Sequence, residues 1–144
     1  MTFRDWVDLS PLDRLRPVAP LAVRAFLCVY LLYMSQDNVR SGARMDEFVA
    51  FLTANGFPVP GLAARVSVYA QFVCGALLGL GLLTRWAAAV IVFHFVVAIL
   101  GAHLDLPFRT TLEPAAMLSS ALFLLLNGPG SLSLDSLRGR QAGG

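Results

Sequence analysis

Three long apolar runs constrain this chain more than any other feature. They cover residues 18–34, 61–83 and 86–102, and only Arg24, Arg65 and Gln71 interrupt them appreciably. A helix needs roughly 17–25 mostly apolar residues to cross the hydrocarbon core of a bilayer, so each run predicts a membrane span. A fourth run, 114–126, is 13 residues long. It reaches spanning length by extending back through Thr111, Leu112 and Glu113, or where the bilayer thins. Pro114 tolerates that extension only in the first helical turn, where its missing N–H is harmless. The expected spans are therefore 18–35, 61–83, 86–104 and 111–127.

Composition agrees with lipid as the solvent. The chain is 57% hydrophobic and 14% charged, with a mean hydropathy of +0.69, whereas soluble domains carry about 25% charge. Its 144 residues suffice for one domain, 1–144. All eleven basic residues are arginines, scattered over a net charge of +2, which leaves no nucleic-acid footprint. Cys28 and Cys74 both lie inside apolar runs, which excludes a secreted disulfide scaffold. Near the amino terminus Arg4, Arg14 and Arg16 mix with Asp5, Asp8 and Asp13, and no A-x-A-like cleavage site follows. The first run thus reads as an uncleaved span.

With four spans, one side holds six arginines (Arg4, Arg14, Arg16, Arg85, Arg138 and Arg140) and the other four (Arg40, Arg44, Arg65 and Arg109). The positive-inside rule then places both termini in the cytoplasm. Between the first two spans, Met45, Phe48, Val49 and Leu52 share one face at helical spacing, and Asn55-Gly56 ends the pattern. The expectation is an amphipathic helix on the outer membrane surface. The fold class read from these features is all-α: an integral membrane four-helix bundle with a short interfacial helix.

Polar groups within a bilayer are costly and each calls for a reason. Arg24 sits about 6 Å into its helix at 1.5 Å per residue; it either snorkels to the inner interface or points inward to bind an acidic group or polar ligand head. On the second span Gln71, Cys74, Gly75, Leu78 and Gly79 form one stripe. Gly75-x-x-x-Gly79 reads as a helix-packing surface, with Gln71 hydrogen-bonding across it. Cys28, Cys74 and His94 lie at similar depths, about 12–14 Å, and are weak candidates for a soft metal site; the usual meaning of such cysteines is packing. His103, Asp105, Arg109 and Glu113 crowd the turn before the fourth span. Glu113 there suits a helix amino terminus and a pairing with Arg109, while His103 beside a carboxylate suits a proton relay. No nucleophile–base motif, phosphate loop or CxxC pair is present.

Several strings together resemble the DoxX family of small membrane proteins. They are Arg24, the Phe48-x-x-Phe51-Leu52-x-x-x-Gly56-x-Pro58-x-Pro60 loop, the glycine-rich segment from Gly75 to Thr84-Arg85, His103, Glu113, and Gly128-Pro129-Gly130-x-x-Ser133-Leu134-Asp135. The resemblance covers residues 21–137. It implies a four-span protein of the bacterial inner membrane, a subunit of a quinone-linked oxidoreductase or thiol and oxidative-stress system, with a redox protein as partner. Arg24, Gln71, His103 and Glu113 would then be the quinone-binding candidates. Two positions depart from the family pattern: Gln71 replaces a common glutamate, and Met34-Ser35-Gln36-Asp37 stands where a His-Gly pair is common. Both changes remove an ionisable group. The alternatives are a non-catalytic anchor or assembly factor for a partner protein, and a small transporter or metal-handling protein in which Cys28, Cys74 and His94 converge.

Overall fold

The computed structural model describes residues 10–102 and 107–141, and these are helical with no strand among them. A 3-10 segment, Ser10–Leu15, precedes six α-helices. They are α1 (Ala19–Arg40), α2 (Gly42–Ala54), α3 (Pro60–Leu80), α4 (Thr84–Ala102), α5 (Phe108–Asn127) and α6 (Leu134–Gln141).

Helix boundaries follow local chemistry, and some differ from the apolar runs. The first helix does not stop at Ser35, because the Ser35 hydroxyl donates to the Leu31 carbonyl (2.6 Å) and the side chain is buried. The break falls instead at Ser41, whose extended backbone turns the chain and whose hydroxyl accepts from the Arg44 amide (3.4 Å). Asn55-Gly56 does end α2. Gly56 adopts φ +71°, and the amides of Gly56 and Phe57 donate back to Thr53 and Leu52, closing a Schellman turn. Gly81 ends α3 in the same way, with φ +67° and with Gly81 and Leu82 donating to Leu78 and Leu77.

α5 begins at Phe108, earlier than expected, so Pro114 lies in its interior rather than its first turn. Proline has no N–H to give the Thr110 carbonyl, yet the helix continues through it with Pro114 buried. At the other end Gly128 terminates α5, as the Asn127-Gly128-Pro129-Gly130 string predicts. The helix that follows, α6, carried no apolar signal.

The long helices pack as α1 on α3, α3 on α4, α4 on α5, and α5 back on α1. Their common core includes Leu27, Leu31, Leu78, Ile91, Ala121 and Leu124, none of them accessible. Apolar residues offer little mutual attraction in lipid, so close backbone approach matters more there. Gly75 and Gly79 supply it. A Cβ on Gly75 would lie 3.0 Å from the Leu31 Cβ, and one on Gly79 would lie 2.5 Å from the Cys28 sulfur. A second, smaller core joins Met45 and Leu52 of α2 to Ala64 and Val68 of α3. The apolar face of α2 is therefore turned onto α3.

Large apolar side chains also cover the outward sides of the long helices. Val29 is 70% exposed, Phe93 71% and Trp86 75%, a surface that water would not tolerate over such an extent. α1, α3 and α4 are each long and apolar enough to cross a membrane.

Candidate functional site

Polar side chains gather at two ends of the molecule, and the two gatherings differ in kind. At the end holding the α3–α4 turn, Arg24 is 2% exposed and points inward. Its Nε donates to the Leu78 carbonyl (2.8 Å) and Nη2 to Gly79 (3.1 Å). Nη1 donates to Pro129 (2.8 Å) and Leu132 (2.7 Å). The last carbonyls of a helix lack intrahelical donors, and a guanidinium fork can serve several at once. Arg24 thus satisfies the end of α3 while gripping the segment after α5. Gly81 passes so close that a Cβ there would meet the guanidinium, and would lie 2.6 Å from the Ser133 Cβ.

Asp135 completes this end. Its two carboxylate oxygens accept from the amides of Leu83 (2.8 Å) and Thr84 (2.9 Å), the opening of α4. Its own amide donates to the Gly81 carbonyl (2.9 Å). Leu83 is held at φ +50°, a conformation that strains a side chain with a Cβ but aims its N–H at the carboxylate. Partial burial works to raise the Asp135 carboxyl, yet the amides of Thr84 and Leu83, the nearby Thr84 hydroxyl and Arg138 together hold it below the usual carboxylate range. The Thr84 hydroxyl favours that charge without being aligned for a full hydrogen bond. A carboxylate at a helix amino terminus is also favoured by the helix dipole.

The opposite end contains a cavity of about 540 Å³, within the range of small-molecule sites. α2 and the chain after it roof it with Phe48, Phe51 and Phe57. Its walls come from α1, α3, α4 and the start of α5. Phe57 reaches across to Gly101 of α4, where any side chain would collide with the ring. The polar lining consists of Tyr30, Ser67, Gln71, His94, Thr110 and Glu113. The Tyr30 hydroxyl donates to the Glu113 carboxylate, linking α1 to α5. Gln71 makes one long bond, from Nε2 to the Ser67 hydroxyl (3.4 Å). His94 stacks edge-on against Phe95 with ring centroids 4.9 Å apart, and among the described residues no hydrogen bond reaches its imidazole.

The cavity brings together Gln71, Glu113 and His94. It excludes Arg24, whose donors are taken at the far end. Glu113 pairs with Tyr30 rather than Arg109, and it sits in the second turn of α5 rather than the first. His103 and Asp105 lie outside the described residues. Cys28, Cys74 and His94 do not converge: Cys28 faces Gly79, Cys74 is in the core, and His94 lines the cavity. Among the described residues no three His, Cys, Asp or Glu side chains could hold a metal ion. Tyr30 and Asp135 were missed by sequence reasoning. The signal for Tyr30 was a hydroxyl midway along an apolar run; for Asp135 it was only its place in the Ser133-Leu134-Asp135 string.

The DoxX family model matches residues 19–104. The chain belongs to the DoxX family. No curated protein and no solved structure matches it. The DoxX match takes in α1 to α4, and so holds Arg24, Gln71, Gly81 and most of the cavity wall. The tail that Arg24 and Asp135 fasten to those DoxX helices lies beyond the matched residues.

Proposed function

We propose that the protein binds a quinone in the α2-roofed cavity, as a subunit of a quinone-linked oxidoreductase or thiol-stress system in the bacterial inner membrane. The single observation that carries this reading is the cavity itself. It is aromatic and apolar over most of its lining, with few polar groups, and its volume fits one ring and part of an apolar tail. A quinone held there would carry electrons and protons between a partner redox protein and the membrane pool. Gln71 and His94, which carry N–H donors, orient its ring, and the phenylalanines of α2 and the following turn keep water from it.

Arg24 is left out of the ligand site and assigned to the architecture. Four spans support this arrangement, α5 being the fourth: its 20 residues are long enough to cross, with Glu113 near one interface. The arginine balance then puts both termini in the cytoplasm and α2 at the outer surface. There its charged side, with Arg44, Asp46 and Glu47 exposed, faces water and any partner.

Quinone extracted from protein purified out of native membranes in mild detergent, measured by mass spectrometry, tests the proposal. Near-stoichiometric quinone is the expected result. Quinone no higher than in an unrelated membrane protein would overturn it and favour the anchoring role, in which α2 meets a partner and the cavity holds lipid.

A further inference from the structure

The two helices flanking the cavity, α3 and α4, change character along their length. On α3, Ser67, Ala70, Gln71, Cys74 and Leu78 share one face, and on α4 so do Ala87, Ile91, His94 and Ala98. Near the shared turn Cys74 and Leu78 join Ala87 and Ile91 in the common core. Farther from the turn the facing side chains include Ser67, Ala70 and Ala98, which are too small to fill the gap, and the cavity occupies it. Residues that line the cavity and are also exposed mark its rim. Along α3 and α4 these are Val66, Val90, Phe93 and Val97, with Ala70 partly buried among them. This rim is apolar throughout. At 1.5 Å per residue Val90 stands about 9 Å and Val97 about 20 Å from the start of α4, so the opening faces the middle of the hydrocarbon. On the opposite side the Tyr30–Glu113 bond ties α1 to α5, and the exposed lining there includes Thr110 and the Glu113 carboxylate.

We infer that the cavity is loaded sideways from the lipid through this mouth between α3 and α4, and that the mouth then holds the tail of the bound molecule. The occupant, which rests on the quinone reading of the cavity, is a quinone with a long hydrocarbon tail. A space of about 540 Å³ takes a ring and only part of such a tail, so the remainder has to leave through a wall. A tail passing Glu113 would strip water from a carboxylate and give it no partner in exchange. Passing Val66, Ala70, Val90, Phe93 and Val97, it trades one apolar neighbour for another and runs on among the lipid chains. Phe57, seated on Gly101, closes the roof beside the mouth, which turns the entrance away from water and toward the bilayer.

The test locates the tail. A benzoquinone carrying a decyl tail with a diazirine at its middle is added to the protein in lipid nanodiscs. After illumination, with and without excess non-photoreactive decyl quinone, adducts are mapped by peptide mass spectrometry. Competable adducts are expected at Val66, Ala70, Val90, Phe93 and Val97. Ala70→Trp and Val97→Trp plug the mouth, and each should lower these adducts about fivefold, the effect of modest overpacking. Val97 is exposed, so its replacement tests the mouth even if Ala70→Trp fails to fold. Leu122→Trp, on an exposed part of α5 outside the cavity lining, should leave the adducts unchanged. Competable adducts at Met34 and Phe51, or at Thr110 and Glu113, would overturn the inference. So would labelling that is absent, that is undiminished in both mouth variants, or that falls as far in Leu122→Trp. Native quinone found alongside any of those results would sink the mouth alone. Mouth labelling intact, with no quinone in native preparations, would sink the quinone reading alone.

Discussion

The two polar ends teach how to read a charged or polar residue in a lipid-facing helix. At the α3–α4 turn, Arg24 looks like a functional group from sequence, being ionisable inside the membrane, and the structure sets Asp135 beside it. Their capacity is consumed by backbone: four carbonyls for Arg24 and two amides for Asp135. At the roofed cavity Gln71 and His94 look milder, but little protein answers their polar atoms. Burial alone does not separate the two cases. What separates them is whether the hydrogen-bonding capacity has been met within the chain.

Substitutions can break or sharpen that contrast. The largest effect is expected from Arg24→Met, which strands the Gly79, Pro129 and Leu132 carbonyls and leaves Leu78 only the Gly81 amide. Hydrogen bonds from charged donors contribute about 1.5–3 kcal/mol each, so the loss should be at least about 3 kcal/mol, seen as a sharply lower melting temperature in detergent. A melt within a degree of wild type would mean that Arg24 is free for another role. Gly81→Ala comes next. It places a Cβ against Arg24 and Ser133 at φ +67°, and about 2 kcal/mol of destabilisation is expected.

Asp135→Asn should cost about 1 kcal/mol, the typical value of a capping side chain, and its effect should depend on pH. The Asp135 carboxyl lies below its unfolded value. Its contribution is therefore present at neutral pH, above an unfolded value of about 4, and is lost as pH falls through the folded value. Melting curves of the two proteins should differ at pH 7 and converge at strongly acidic pH; an equal gap throughout would contradict the cap. The smallest stability effect belongs to the cavity. Gln71→Leu should change stability by no more than about 0.5 kcal/mol while weakening ligand binding several-fold. A large loss of stability there would make the cavity end structural too.

Much of this contrast was invisible in the sequence, for physical reasons. The apolar runs announced α1, α3 and α4 because crossing hydrocarbon demands uninterrupted length, and the Met45–Leu52 stripe announced α2. The alliance of Arg24 with residues 129–132 was not legible, because its acceptors are backbone carbonyls, which carry no sequence signature. The same holds for Asp135, whose partners are two amides 51 and 52 residues away. Gln71 and Glu113 stood out as polar residues near helix faces, but nothing in their spacing placed them with Tyr30 around one space. Pro114 misled, since the helix runs on through a proline that a first-turn rule would place at its start.

The most direct test of the account is to locate the ligand. A photoreactive quinone analogue would be crosslinked to the purified protein, and the modified peptides mapped by mass spectrometry. The account predicts adducts on peptides lining the cavity, from α2 and the outer turns of α3 and α4, including Phe48, Phe57 and Gln71. Adducts concentrated instead on the Arg24 segment and residues 129–135 would contradict it, by placing the ligand at the end that the chain has already filled.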